Sequence, residues 1–304
     1  MALFAEQCLN GLQFSLLLFL MASGLTLIFG IMGQINLAHG SLYMLGAYFA
    51  VTFYRWTGSM PAAVALALLA AFALGVILER LIFRRLYTRN HLLQVIATFG
   101  LILIFDELAR MVWGVAPLYA PTPAALAGTV QLGFLPYPAY RLAIIATGLA
   151  TAAALFLVIQ RTRLGALIRA GAEDQAMVAH LGVDIGLLYT VVFGIGAVLA
   201  GFAGIMAAPI TSVRPGMGEE ILILTIVVIV VGGLGSIQGV FLGALLIGIG
   251  DTLGRAYIGG LMGAVWSGAS SSGADAAVSS TLIFLIMAVV LVLKPGGLLA
   301  RRTR

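Results

Sequence analysis

The stretch GQINLAHGSLYMLGAY, residues 33–48, sets Gln34, Asn36, His39 and Ser41 between two long apolar runs. The run before it, residues 8–30, holds no charged residue and has the length that crosses a hydrocarbon core about 30 Å thick. An unpaired polar group in hydrocarbon costs several kcal/mol, so such residues persist where they face protein or a watery path. Gly33 and Gly40 bracket the set. A glycine-flanked break in a spanning helix is one way a transporter exposes backbone and small polar groups. The other reading is packing, with glycine for close helix contact and polar side chains tying helices together.

The rest of the chain fixes the solvent. Of 304 residues, 62% are hydrophobic and 9% charged, where a soluble domain carries about 25% charged residues. This is the composition of an integral membrane protein. The net charge of +5 lies in short blocks between apolar runs, as topogenic charges do, and gives no sign of nucleic-acid binding. Cys8 is the single cysteine, so no internal disulfide is possible. The opening MALFAEQ lacks a basic residue, which favours a retained first helix over a cleaved leader.

Spans are expected near 8–30, 37–54, 61–83, 92–113, 141–160, 186–208 and 277–294, with a further region at 220–256. The fold class is an all-α transmembrane bundle of eight or nine crossing or re-entrant helices, in a single domain over 1–304. Residues 221–234 reach only about 21 Å as a helix, short of a full crossing. The region 220–256 is therefore two short spans or a hairpin turning at GGLGSIQG, 232–239. Eleven of the sixteen basic residues sit in three segments: Arg80 to Arg89, Arg161 to Arg169, and Lys294 to Arg304. These are placed in the cytoplasm. The uncharged loop 114–140 then lies outside, with the N-terminus outside and the C-terminus inside.

Between the fifth and sixth spans lies RTRLGALIRAGAEDQAMVAHLGVDIG, 161–186. Leu164, Leu167, Ile168, Gly171, Val178 and Leu181 recur at helical spacing, with Arg163, Arg169, Glu173, Asp174 and His180 as the polar complement. That pattern predicts an amphipathic helix at the cytoplasmic interface, either a linker or a docking helix for a soluble partner.

The blocks GLTLIFGIMGQINLAHGSLYMLGAY (24–48), ERLIFRRL (79–86), ATFGLILIF (97–105), IRAGAEDQAMVAHLGVDI (168–185) and VGGLGSIQGVFLGALLIGIGDTLG (231–254) resemble the LivH-type permease of branched-chain amino-acid ABC transporters. The resemblance implies a bacterial inner-membrane importer subunit. Its partners would be a second related permease, two cytoplasmic ATP-binding subunits and a periplasmic substrate-binding protein. It implies no cofactor and no enzymatic activity of the chain itself, and the sequence has no GxxxxGK[ST] phosphate loop. Arg163, Arg169, Glu173 and Asp174 would meet an ATPase. Asn36, His39, Ser41, Ser236 and Gln238 would line the path. Gly33, Gly40, Gly232, Gly233 and Gly235 would break helices there, both stretches reaching inward from the outer side. Relatives that carry urea or short amides keep that cargo open.

An ion-coupled secondary transporter needs ionisable residues at mid-membrane, and the spans hold few. His39 fits a hydrogen-bonded structural role better than a proton relay, because no second histidine or carboxylate stands near it in sequence. An intramembrane enzyme or metal site needs a motif such as HExxH; His39, His91 and His180 form none. Asp106 and Glu107 stand where the family is expected to carry neutral polar residues, and Arg110 is one turn away to pair with them.

Overall fold

The computed structural model describes residues 2–34, 36–133, 135–265 and 272–299, with side chains for all of these except 258–280. Arg301, Arg302 and Arg304 of the expected cytoplasmic tail lie outside the described residues.

Helix dominates. The elements are α1 (Ala2–Met32), α2 (His39–Thr57), α3 (Met60–Leu78), a π-helical turn (Glu79–Phe83), α4 (Arg84–Leu86) and α5 (His91–Trp113). A 3-10 turn (Ala124–Leu126) precedes strands β1 (Thr129–Leu132) and β2 (Leu135–Pro138). Then come α6 (Ala139–Arg161), α7 (Arg163–Glu173), α8 (Gln175–His180), α9 (Ile185–Ala207), α10 (Met217–Gly232), α11 (Ile237–Val265) and α12 (Ser272–Leu293). Among the described residues six helices are long and apolar enough to cross a membrane: α1, the continuous stretch Met60–Leu86, α5, α6, α9 and Ile237–Tyr257 of α11. The 16 residues of α10 reach about 24 Å. The uncharged segment expected as a plain loop folds in part into an antiparallel ribbon, with Thr129 opposite Pro138 and Leu132 opposite Leu135.

The chain forms two compact units. The first comprises Met1–Phe19, Pro123–Leu149 and Thr225–Arg304; the second comprises Leu20–Thr122 and Ala150–Leu224. Helices α1, α6 and α10 each run from one unit into the other.

The second unit is built on α2, α3 and α9. A membrane gives little hydrophobic drive between helices, so close backbone approach at small residues supplies the packing. Gly46 and Gly201 meet backbone to backbone, and Gly204 meets the Tyr43 carbonyl. A Cβ on Gly75 would stand 2.6 Å from that of Ala197. Ala67 and Ala71 are buried in the same seam. In the first unit, Phe19 meets Phe241 edge-on at 5.2 Å. A Cβ on Gly148 would stand 2.8 Å from Leu16. Tyr137 of the ribbon donates to Asn10 Oδ1 at 3.0 Å, and Arg141 donates to the same oxygen. The ribbon is thereby tied to the start of α1.

Candidate functional site

Gly33 ends α1. Its φ of 66° is one that glycine adopts without strain, and its N–H donates to the Phe29 carbonyl at 2.8 Å. Gln34 and residues 36–38 are non-helical, and Ala38 precedes α2 without a side-chain cap. His39 opens α2, wholly buried, with Nε2 3.1 Å from the Met21 carbonyl oxygen. A carbonyl only accepts, so Nε2 carries the hydrogen and Nδ1 is left as a lone pair. Nδ1 is buried and has no partner among the described residues.

Met21 lies three turns back from the end of α1, about 16 Å along the helix. The segment after Gly33 therefore climbs back beside α1 and starts α2 in the interior of the second unit. Gly24 makes room for the imidazole, since a Cβ there would come within 3.1 Å of the ring and 2.7 Å of the Gly196 carbonyl. Gly40 lies inside α2 and is no break. It lets the helix meet the backbone of Gly218.

Asn36 is 1% exposed, and among the described residues neither its Oδ1 nor its Nδ2 has a partner. A whole buried amide without hydrogen bonds is rare. Gln34 and Ser41 are buried nearby in the chain. No described acid or base ion-pairs with any of these four. The stretch thus offers neutral donors and acceptors in a sheltered helix break and the first turn of α2, the chemistry that replaces part of a polar molecule's hydration without trapping it.

The stretch 232–239 belongs to the first unit and is built differently. Gly233 and Gly235 have φ of 104° and 78° and make the turn. Gly232 ends α10 and meets the Gly239 backbone. Ser236 Oγ accepts from Gly239 N–H at 3.1 Å, so this hydroxyl caps α11. Gln238 is exposed. Leu298 N–H donates to the Val231 carbonyl at 2.8 Å and Leu299 N–H to Gly232 at 3.1 Å. The turn therefore sits against the segment that follows Lys294. Likewise Gln175 of α8 donates to the Ile31 carbonyl next to Gly33.

The charged segment 161–186 is two helices in place of the single one expected. Asp174 separates them: its backbone leaves helical geometry, and its Oδ1 caps α8 through Met177 N–H at 2.9 Å. Arg169 reaches the Ile159 carbonyl at the end of α6. Arg163 and Glu173 are exposed. Ile168, Gly171 and Val178 are buried, and Gly171 faces Leu188 of α9.

Arg110 pairs only with Glu107, at 3.5 Å. Asp106, expected in the same ion pair, instead accepts from Gly216 N–H at 3.3 Å.

Glu79 was not legible as a site residue. It is the first residue of the π-helical turn and is fully buried. Tyr87 donates to one carboxylate oxygen at 3.0 Å and Thr190 to the other at 2.6 Å. The available signal is a lone acid at the end of an apolar run, within the block ERLIFRRL.

A helical bundle with a sheltered polar break between two of its helices has the form of a membrane permease. Residues 7–292 match the family model described as branched-chain amino acid transport system / permease component, and the chain belongs to that family. It is 29% identical to the high-affinity branched-chain amino acid transport system permease protein BraD of Pseudomonas aeruginosa, over 98% of this chain and 96% of BraD. It is 26% identical to the corresponding protein LivH of Escherichia coli K12 over the same shares. It is 27% identical to the probable branched-chain amino acid transport permease LivH of Methanocaldococcus jannaschii, over 94% of this chain and 89% of that one. No solved structure matches the chain.

Proposed function

We propose that the chain is the membrane-spanning subunit of an ABC importer that moves branched-chain or related amino acids across a bacterial inner membrane. A second related permease completes the path, two cytoplasmic ATPases drive it, and a periplasmic binding protein delivers the cargo. The chain makes eight or nine passes, with its N-terminus outside and its C-terminus in the cytoplasm. Helices α7 and α8 form the ATPase contact through Arg163 and Glu173, while Asp174 and Arg169 hold their shape. Asn36, His39 and Ser41 line the path, and Ser236 and Gln238 belong to a second, supporting turn.

The observation that carries this reading is Asn36: a complete amide, 1% exposed and unpaired, in the non-helical stretch before α2. A group so costly to bury persists where it is used. The test is uptake by the assembled complex in proteoliposomes, with its binding protein and ATP. Labelled leucine, isoleucine and valine are expected to accumulate only with ATP. Accumulation of urea or a short amide in their place would transfer the chain to the amide-carrying branch. Uptake that follows a proton or sodium gradient without ATP would overturn the reading.

A further inference from the structure

We propose that Glu79 is a positioning residue through which movement of the α7–α8 segment is passed to α3. The proposal rests on the reading of that segment as the ATPase contact.

The two ends meet at the start of α9. On one side, a Cβ on Gly171 of α7 would stand 3.4 Å from Leu188 of α9, the residue before Tyr189. Tyr189 meets Tyr87 edge-on, with ring centroids 5.0 Å apart and planes at 82°. Tyr87 donates to Glu79 at 3.0 Å. Thr190, next to Tyr189, donates to the other Glu79 oxygen at 2.6 Å. Phe83, at the end of the π-helical turn, meets Phe193 one helical turn along α9, with centroids 4.6 Å apart and planes tilted by 42°. The Arg84 guanidinium lies over Gly186, in the space a Cβ there would take. The first turns of α9 are thus held by α7 and α8 and by the end of α3.

Hydrophobic contacts alone let helices slide. A buried carboxyl group that takes a hydroxyl from each side does not, because separation would leave its oxygens without donors in the interior. The π-helical turn widens the helix where Glu79 enters, and such turns recur at functional positions. Displacement of α8 is therefore expected to move α9 and α3 together.

The test uses the whole transporter in proteoliposomes and measures cargo moved per ATP hydrolysed. Glu79→Leu is expected to lower that ratio about tenfold, with basal hydrolysis unchanged. Glu79→Gln, which keeps one acceptor, is expected to restore part of it. Thr190→Val should resemble Glu79→Gln, and adding Tyr87→Phe to Glu79→Leu should cost nothing further. Where Glu79→Leu does not assemble, Glu79→Gln and Thr190→Val carry the test. A wild-type ratio in assembled variants, or losses that simply add, would overturn the proposal. The wild-type complex is measured alongside: if it moves cargo with ATP, the proposed function stands whichever way Glu79 falls.

Discussion

Asn36 separates stability from transport. Leucine has the same branching and number of side-chain heavy atoms and no polar ones, so Asn36→Leu removes a buried amide that no described residue satisfies. Relieving an unmade hydrogen-bonding group is worth about 1–3 kcal/mol. The variant is expected to unfold at higher temperature in detergent while transport is lost and basal hydrolysis persists. A variant that gains nothing in thermal stability would show that Asn36 is paired in the working protein. One that transports normally would remove it from the path. The polar character of this stretch was readable from composition. The tautomer of His39 and the depth of α2 were not, since both depend on the Met21 carbonyl, 18 residues away in the chain.

At the scale of the element, α7 and α8 show how periodicity misleads. The apolar spacing continues across Asp174, so the segment reads as one helix. The capping side chain restarts the helix after a single non-helical residue, and the spacing hides the break. Two neighbouring acids therefore differ in role. Asp174→Ala should cost about 1 kcal/mol through loss of the cap, with Asp174→Asn restoring it; amide exchange in α8 would report both. Glu173→Arg should leave that exchange unchanged and weaken ATPase association, read by co-purification. If Glu173→Arg co-purifies as the wild type does, the ATPase contact lies elsewhere. Glu79 shows the complementary limit. Its partners Tyr87 and Thr190 are 8 and 111 residues away, and no local pattern predicts the second.

For the molecule as a whole, the helical character and the place of the six long apolar helices among the described residues followed from hydropathy and length, because the bilayer imposes both. The division into two units did not, since each gathers segments from distant parts of the chain. Sidedness is open to direct measurement. In a Cys8→Ser background, single cysteines at the exposed positions Thr88 and Ala179 should react with an impermeant thiol reagent only from the cytoplasm. One at Ala125 should react only from outside. Labelling of Ala179→Cys in intact cells would invert the proposed topology.

The backbone bonds from Leu298 and Leu299 to the end of α10 bear on how the protein is made. A ribosome delivers the chain in order, and every segment of the second unit has been synthesised by residue 224. The first unit waits. Its earliest segment, Met1–Phe19, enters the membrane long before Thr225–Arg304 exists. The bonds that hold the α10–α11 turn form only once residue 299 has left the exit tunnel. During that interval the first unit's early helix is without its later partners, so membrane chaperones and quality-control proteases meet it open. A premature stop between α12 and Leu298 should therefore be cleared as an unfinished protein even though every apolar helix has been inserted.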